Sequence, residues 1–206
     1  MNDAIRILHD EHRSISAVLH GLQELARIAQ NPSVRPDFSV FRAMIYYIDA
    51  FPERLHHPKE NDYLFPRLLS RSPDAAPLVQ ELRHEHEKGA ALVRELERAL
   101  LAYEIGWPQG AASFEDAVLT YANFHWDHMR KEEQVLLPLA EAALTGEDWK
   151  AIGEAFAGNE DPIADLREKD FAKLFSRIVS LAPAPIGLGS AWKQVSGRPG
   201  RASSSG

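Results

Sequence analysis

The sequence predicts an all-α protein: an up-down-up-down four-helix bundle made from a duplicated helical hairpin, with two additional C-terminal helices. Three observations predict it. Apolar residues recur at alternating spacings of three and four over long stretches, the pattern of a helix with one buried stripe. The 12 glycines and 13 prolines cluster at a few places and leave long segments between them. Residues 56–66, HHPKENDYLFP, return 72 positions later as residues 128–138, HMRKEEQVLLP. In that alignment His56 meets His128, Lys59 meets Lys131, Glu60 meets Glu132, Leu64 meets Leu136 and Pro66 meets Pro138.

The first helix is expected over about 3–30, with its seam at Ile5, Leu8, Ile15, Leu19, Leu22, Ala26 and Ala29. His12 fills the one seam position that is not apolar, while His9 and His20 lie off the seam and read as solvated. A loop with two prolines, NPSVRPDF, leads to a second helix whose apolar face carries Phe41, Ile45 and Ile48 and which ends near Ser70. Pro52 and Pro58 interrupt it. An interior proline removes an i to i−4 bond and kinks a helix, so the facing of His56 against His57 stays open. In the next break, SRSPDAAP, Ser72 is the expected N-cap with Pro73 at the first helical position.

The third helix shows Val79, Leu82, His86, Gly89, Val93, Leu96 and Leu100 at the same spacing. Superposing His86 on His12 places Val79 on Ile5, Leu82 on Leu8, Val93 on Leu19, Leu96 on Leu22 and Leu100 on Ala26, an offset of 74 residues. Each of the two histidines also follows a glutamate, Glu11 or Glu85. Helices one and two are thus repeated as three and four. After the turn GWPQGAAS, Ser113 and Asp116 read as a capping box, and the fourth seam runs Val118, Tyr121, His125, His128, Glu132, Val135 and Leu139. Thr145 and Asp148 cap a short helix to about Gly158, bearing Trp149, Ile152 and Phe156 on one face. Asp161 and Pro162 open a last helix to about Leu181, with Ile163, Leu166, Phe171, Leu174, Phe175 and Ile178. The expected organisation is a bundle over 1–145, a helical extension over 146–182 and an extended or disordered tail over 183–206, which is rich in Pro, Gly and Ser. The apolar faces of the extension (Trp149, Phe156, Phe171, Phe175) are a candidate homodimer contact.

Composition narrows the chemistry. A net charge of −7 provides no nucleic-acid footprint. The absence of cysteine excludes disulfides, thiolate metal sites, iron–sulfur clusters and thiol nucleophiles together. The first residues carry no basic-then-apolar signal and no apolar run approaches bilayer length, so a cytoplasmic protein with no membrane partner is expected. What remains is His and carboxylate chemistry. On a helix, i and i+4 share a face, so each His-x-x-x-Glu block aims an imidazole and a carboxylate at one point. A single such pair is usually a solvated surface pair contributing a few tenths of a kcal/mol. Two copies with the same trailing pattern require more than chance. In helix four, three consecutive seam positions (His125, His128, Glu132) are titratable, and burying them unpaired would cost roughly 2–7 kcal/mol per group. A metal ion removes that difficulty.

Converging on the bundle axis, the seams contribute His12, His56, Glu60, His86, His128 and Glu132. Six donors are too many for one tetrahedral zinc and suit two metals bridged by both carboxylates. Nitrogen and oxygen donors with a vacant position favour iron, with an oxo or hydroxo bridge completing the core. Such a centre would take a diatomic ligand (O2 or NO) or peroxide.

These residues resemble the hemerythrin-like (HHE cation-binding) domains over about residues 3–145. The resemblance is carried by EHRSI at 11–15, HHPKENDYLFP, HEHEK at 84–88 and HMRKEEQVLLP. It implies a four-helix bundle around a non-haem di-iron centre, with ligand roles on His12, His56, Glu60, His86, His128 and Glu132. Oxygen-carrying hemerythrins have a fifth histidine one turn from that of helix three. Here those positions are Leu82 and Ala90, and His125, one turn before His128 and the repeat counterpart of Glu53, is a candidate either to substitute as a ligand or to support one from behind. The implied function is binding or sensing of O2, NO or iron; the alternative is an oxidoreductase that handles peroxide or nitric oxide. A ferritin-like reading rests on Glu-x-x-His at Glu53–His56 and Glu81–His84.

Overall fold

The structure is a computed structural model that describes residues 3–157 together with 178, 180, 182, 183, 186, 188, 189, 191 and 192. Residues 3–157 form five helical rods, and no strand occurs among the described residues. Helix α1 is Asp3–Ile28 and buries its whole expected stripe, His12 included. Helix α2 spans 38–71 as one rod. Asp37 caps it, its carboxylate accepting from the Ser39 N–H at 2.9 Å. After a regular first part, Phe38–Ile48, the chain widens into a π-helical turn, Asp49–His56, that contains Pro52. The His57 N–H donates to the Pro52 carbonyl, five residues back. Pro52 therefore does not break the helix; the wider turn absorbs the clash and the missing donor that proline imposes on a regular α-helix.

A second π turn, Glu60–Leu64, closes through the Phe65 N–H to the Glu60 carbonyl, and its repeat counterpart, Glu132–Leu136, closes through Leu137 to Glu132. Each is followed two residues later by a proline, Pro66 or Pro138, whose regular bond could not form. Helix α3 is Ala76–Gly106, helix α4 spans 111–143 and helix α5 is Gly146–Ala157.

Three expectations need correction. Ser72 makes no side-chain cap; Pro73–Ala75 form a 3-10 turn first, and α3 starts behind it. Ser113 and Asp116 lie inside α4, which begins at Ala111 behind Gly110. Gly110 has φ +92°, and a Cβ there would sit 3.1 Å from the Tyr103 Cα, so backbone geometry starts this helix rather than a side-chain cap. Val135 and Leu139 are 45% and 41% exposed, whereas Leu136 and Ala140 are fully buried. The π turn at Glu132 inserts one residue into the ladder and moves the seam on by one position.

The capping box of α5 forms as expected. Asp148 N–H donates to Thr145 Oγ1 at 3.3 Å and Thr145 N–H donates to Asp148 Oδ2 at 3.0 Å. Thr145→Ala should cost about 1 kcal/mol and lower the melting temperature by roughly 2–4 °C, read by thermal denaturation.

Two apolar clusters sandwich a polar layer. The larger includes Ile15, Leu19, Leu22, Phe41, Ile45, Val93, Leu96, Tyr103, Phe114 and Val118. At its far end the Tyr103 hydroxyl donates to the Ala29 carbonyl at 2.8 Å, and Gln30 Nε2 donates to the Ala111 carbonyl at 3.0 Å. The second cluster joins Ile5, Leu8, Leu64, Phe65, Leu82, Leu136 and Ala140 to α5 through Trp149, Ile152 and Phe156. Trp149 and Phe156 are thus buried within this chain. Lys59 Nζ also donates to the Phe156 carbonyl at 3.3 Å, tying α5 to α2. The expected last helix lies outside the described residues except at Ile178 and Ser180, and Phe171 and Phe175 lie outside them as well. Ile178, Ala182, Ile186 and Trp192 pack on the larger cluster, Trp192 with its ring centroid 5.8 Å from that of Phe41. Among the described residues no helix is long and apolar enough to cross a membrane.

Candidate metal centre

The polar layer falls where each of the four long helices passes between the apolar clusters. His12, His56, Glu60, His86, His128 and Glu132 are all buried there, so the structure brings together the whole expected set. Their ligand atoms divide into two groups: His12, His56, Glu60 and Glu132, and Glu60, His86, His128 and Glu132. Within each group the atoms lie within 4.8 Å of one another.

Both carboxylates belong to both groups and use different oxygens for each. Glu60 Oε1 is 3.6 Å from His56 Nε2, and its Oε2 is 3.4 Å from His86 Nε2. Glu132 Oε2 is 3.4 Å from His12 Nε2, and its Oε1 is 3.1 Å from His128 Nε2 and 3.7 Å from His86 Nε2. His12 and His56 bring their Nε2 atoms to 3.1 Å of each other.

The outward nitrogens are held. His56 Nδ1 is 2.7 Å from Glu11 Oε2, His128 Nδ1 2.9 Å from Glu85 Oε2, His12 Nδ1 2.9 Å from Glu133 Oε1, and His86 Nδ1 3.3 Å from Asn61 Oδ1. In the neutral ring an acceptor at Nδ1 fixes the proton there, which leaves the inward Nε2 as the nitrogen that can bind a cation. Lys131 in turn holds Glu85 and pairs with Glu81 Oε1 at 2.6 Å.

Sequence reasoning missed these four supports. Their signal was present in the repeat: Glu11 and Glu85 precede the paired histidines of α1 and α3, and Asn61 and Glu133 follow the paired glutamates. The donor set fits a cation. Among the described residues, His86 Nε2, His128 Nε2, Glu60 Oε2 and both oxygens of Glu132 are buried without a hydrogen-bond partner. Orphaned buried acceptors facing one point are costly unless an electrophile joins them.

Without metal the layer shares protons. Burial opposes charge on His12, but the Glu132 and Glu133 carboxylates outweigh it and push its pKa up to about 10. His128, likewise opposed by burial, is pushed up to about 10 by Glu132 and Glu85. Burial works against ionisation of Glu132 too, yet His128, His12 and His86 hold it well below the usual carboxylate range.

The remaining candidates separate. His20 is exposed and lies against the Trp126 ring, while His9 is half-buried with Nδ1 3.4 Å from Glu133 Oε1. Glu81 and His84, needed for the ferritin-like pattern, have side chains 57% and 79% exposed, which removes that reading. His57 and His125 are buried beside the second group.

The fold and this site define a helical protein that gathers imidazoles and carboxylates for cations. The sequence model of the hemerythrin HHE cation binding domain matches residues 3–140, and the chain belongs to that family. No curated protein matches the chain.

Proposed function

We propose that the chain is a non-haem di-iron protein that binds or senses O2, NO or iron at a bridged two-metal centre. The observation that carries this is the division of labour at Glu60 and Glu132, each directing one oxygen to the His12/His56 pair and the other to the His86/His128 pair. His12 and His56 would hold one ion, His86 and His128 the other, and the two carboxylates both. Nitrogen and oxygen donors without sulfur favour iron, bridged by oxo or hydroxo. Iron held this way would supply one-electron redox chemistry and bind a diatomic ligand or peroxide. The protein's own part is to hold one proton of each imidazole at Nδ1 through its supports, so that the inward Nε2 is the nitrogen that gives up its proton to a cation, and to exclude bulk water with the two apolar clusters.

Metal analysis with an optical spectrum of freshly purified protein tests the reading. About two irons per chain and a near-ultraviolet oxo-bridged ferric band are expected; an iron-free protein, or one ion per chain with no such band, rejects it. Turnover of added peroxide or nitric oxide by iron-loaded protein would move the assignment to the alternative, a di-iron oxidoreductase.

The up-down-up-down bundle of a duplicated hairpin, with an extension over 146–182 and a tail over 183–206, belongs to the same reading. It is supported by the pairing of Glu81 with Lys131, Glu85 with His128 and Tyr103 with Phe114, which runs oppositely along α3 and α4. A cytoplasmic location without nucleic-acid or membrane partners, and a homodimer through the C-terminal extension in which Trp149 and Phe156, buried within the chain, take no part, complete the proposal. Sedimentation of the intact chain at monomer mass rejects the dimer.

A further inference from the structure

Two buried histidines, His57 and His125, lie beside the His86/His128 pair and take no part in the centre as described so far. We infer that His57, and not His125, is the third imidazole donor at the metal position of Glu60, His86, His128 and Glu132. The inference rests on the di-metal reading above.

Position is the first argument. A nitrogen of His57 lies within 4.8 Å of nitrogens of both His86 and His128. The His57 and His86 rings are parallel, 9° apart with centroids at 4.2 Å, and His57 meets His128 edge-on at 5.2 Å. Among the described residues His125 enters no such group.

Construction is the second. Every imidazole of the centre carries an oxygen acceptor against Nδ1. His57 has an acceptor placed in the same way: its Nδ1 is 3.3 Å from Glu53 Oε2, close but out of hydrogen-bonding line. Glu53 is itself held by the Tyr121 hydroxyl, which donates to Oε1 at 2.9 Å. The His125 ring stacks on Tyr121 with centroids 5.1 Å apart, and among the described residues neither of its nitrogens has a hydrogen-bond partner or a carboxylate set against it. A metal-ligating imidazole needs that support.

Local backbone is the third. The π turn at Asp49–His56, built around Pro52, has no counterpart in α4, where Phe124 occupies the equivalent place in a regular helix. Because it adds a residue to the turn, His56 and His57 are both buried toward the layer. The repeat counterpart of His57 is Met129, which belongs to the larger apolar cluster. The duplicated site is therefore asymmetric, with two imidazoles at one position and three at the other.

Anaerobic titration of the full-length apoprotein with ferrous iron, with bound metal counted after equilibrium dialysis, tests the assignment. The wild type should take up two ions. His57→Ala should retain one and bind the other at least about 10-fold more weakly, while His125→Ala should match the wild type. His57→Phe keeps the ring stack without a donor and should behave like His57→Ala; it decides the matter if the alanine variant does not fold. Unchanged affinity for both ions in the His57 variants, or an equal loss in His125→Ala, overturns the assignment and leaves the di-metal reading standing. A wild type that binds fewer than two ions overturns both.

Discussion

Alanine at His128 is expected to weaken one of the two metal ions by about 100-fold and to remove about 2.7 kcal/mol of metal-linked stability at saturating iron. In a chain of this size that is a fall of roughly 5–10 °C in melting temperature. His128 Nε2 is buried without a hydrogen-bond partner and lies 3.1 Å from Glu132 Oε1, so its removal takes a donor directly from the second group. It also leaves Glu85 without the imidazole it holds at 2.9 Å. His56→Ala should act in the same way on the first group, with Glu11 as the abandoned support. Iron content per chain and melting with and without iron are the measurements. The metal-linked part is the difference between the two melts, which separates coordination from packing. Unchanged iron content in both variants would falsify the ligand assignment.

The metal-free protein should lose stability as pH rises from about 7 to about 10. His12 and His128 have folded pKa values pushed up to about 10, against 6.5 for an ordinary histidine. A raised value means that the folded state holds the proton more tightly than the unfolded chain. The stabilising contribution is therefore complete below about 6.5 and disappears as pH climbs through 10. The cause is the pair of carboxylates left without cations: protonated imidazoles balance Glu132 in the absence of metal. Iron displaces those protons, so uptake at pH 7 should release about two protons per chain and tighten as pH rises. Thermal melts of apoprotein across this range check the first part, and proton release on adding ferrous iron in weak buffer checks the second. A flat apoprotein profile together with no proton release would show that the imidazoles are already neutral.

The seams of α1 and α3 were legible because a helix repeats every 3.6 residues and its buried stripe is written at fixed spacing. The His-x-x-x-Glu blocks were legible for the same reason, and their recurrence marked them as more than surface pairs. The reading drifted where the helical period changes. Val135 and Leu139 fit a regular α4, but the π turn at Glu132 hands the core to Leu136 and Ala140. Ser72 and Ser113 carry the right chemistry for caps, yet a 3-10 turn and Gly110 start those helices instead. At α5, where Thr145 and Asp148 cap one another across a single turn, local chemistry was sufficient for the cap, and Arg71 adds a bond to Asp148 at 2.9 Å.

By itself the sequence determined the helical class, the duplicated hairpin pattern, the absence of sulfur donors and six candidate donors for cations, since all of these are properties of composition or of spacing along one helix. The tertiary structure alone decided which atoms support which. Glu11 on α1 holds His56 on α2, Glu85 on α3 holds His128 on α4, and Glu53 with Tyr121 backs His57. Apart from Glu53 and His57, one helical turn from each other, those contacts join residues far apart in the chain, and their geometry follows from how the rods pack and how far each π turn rotates the side chains beyond it.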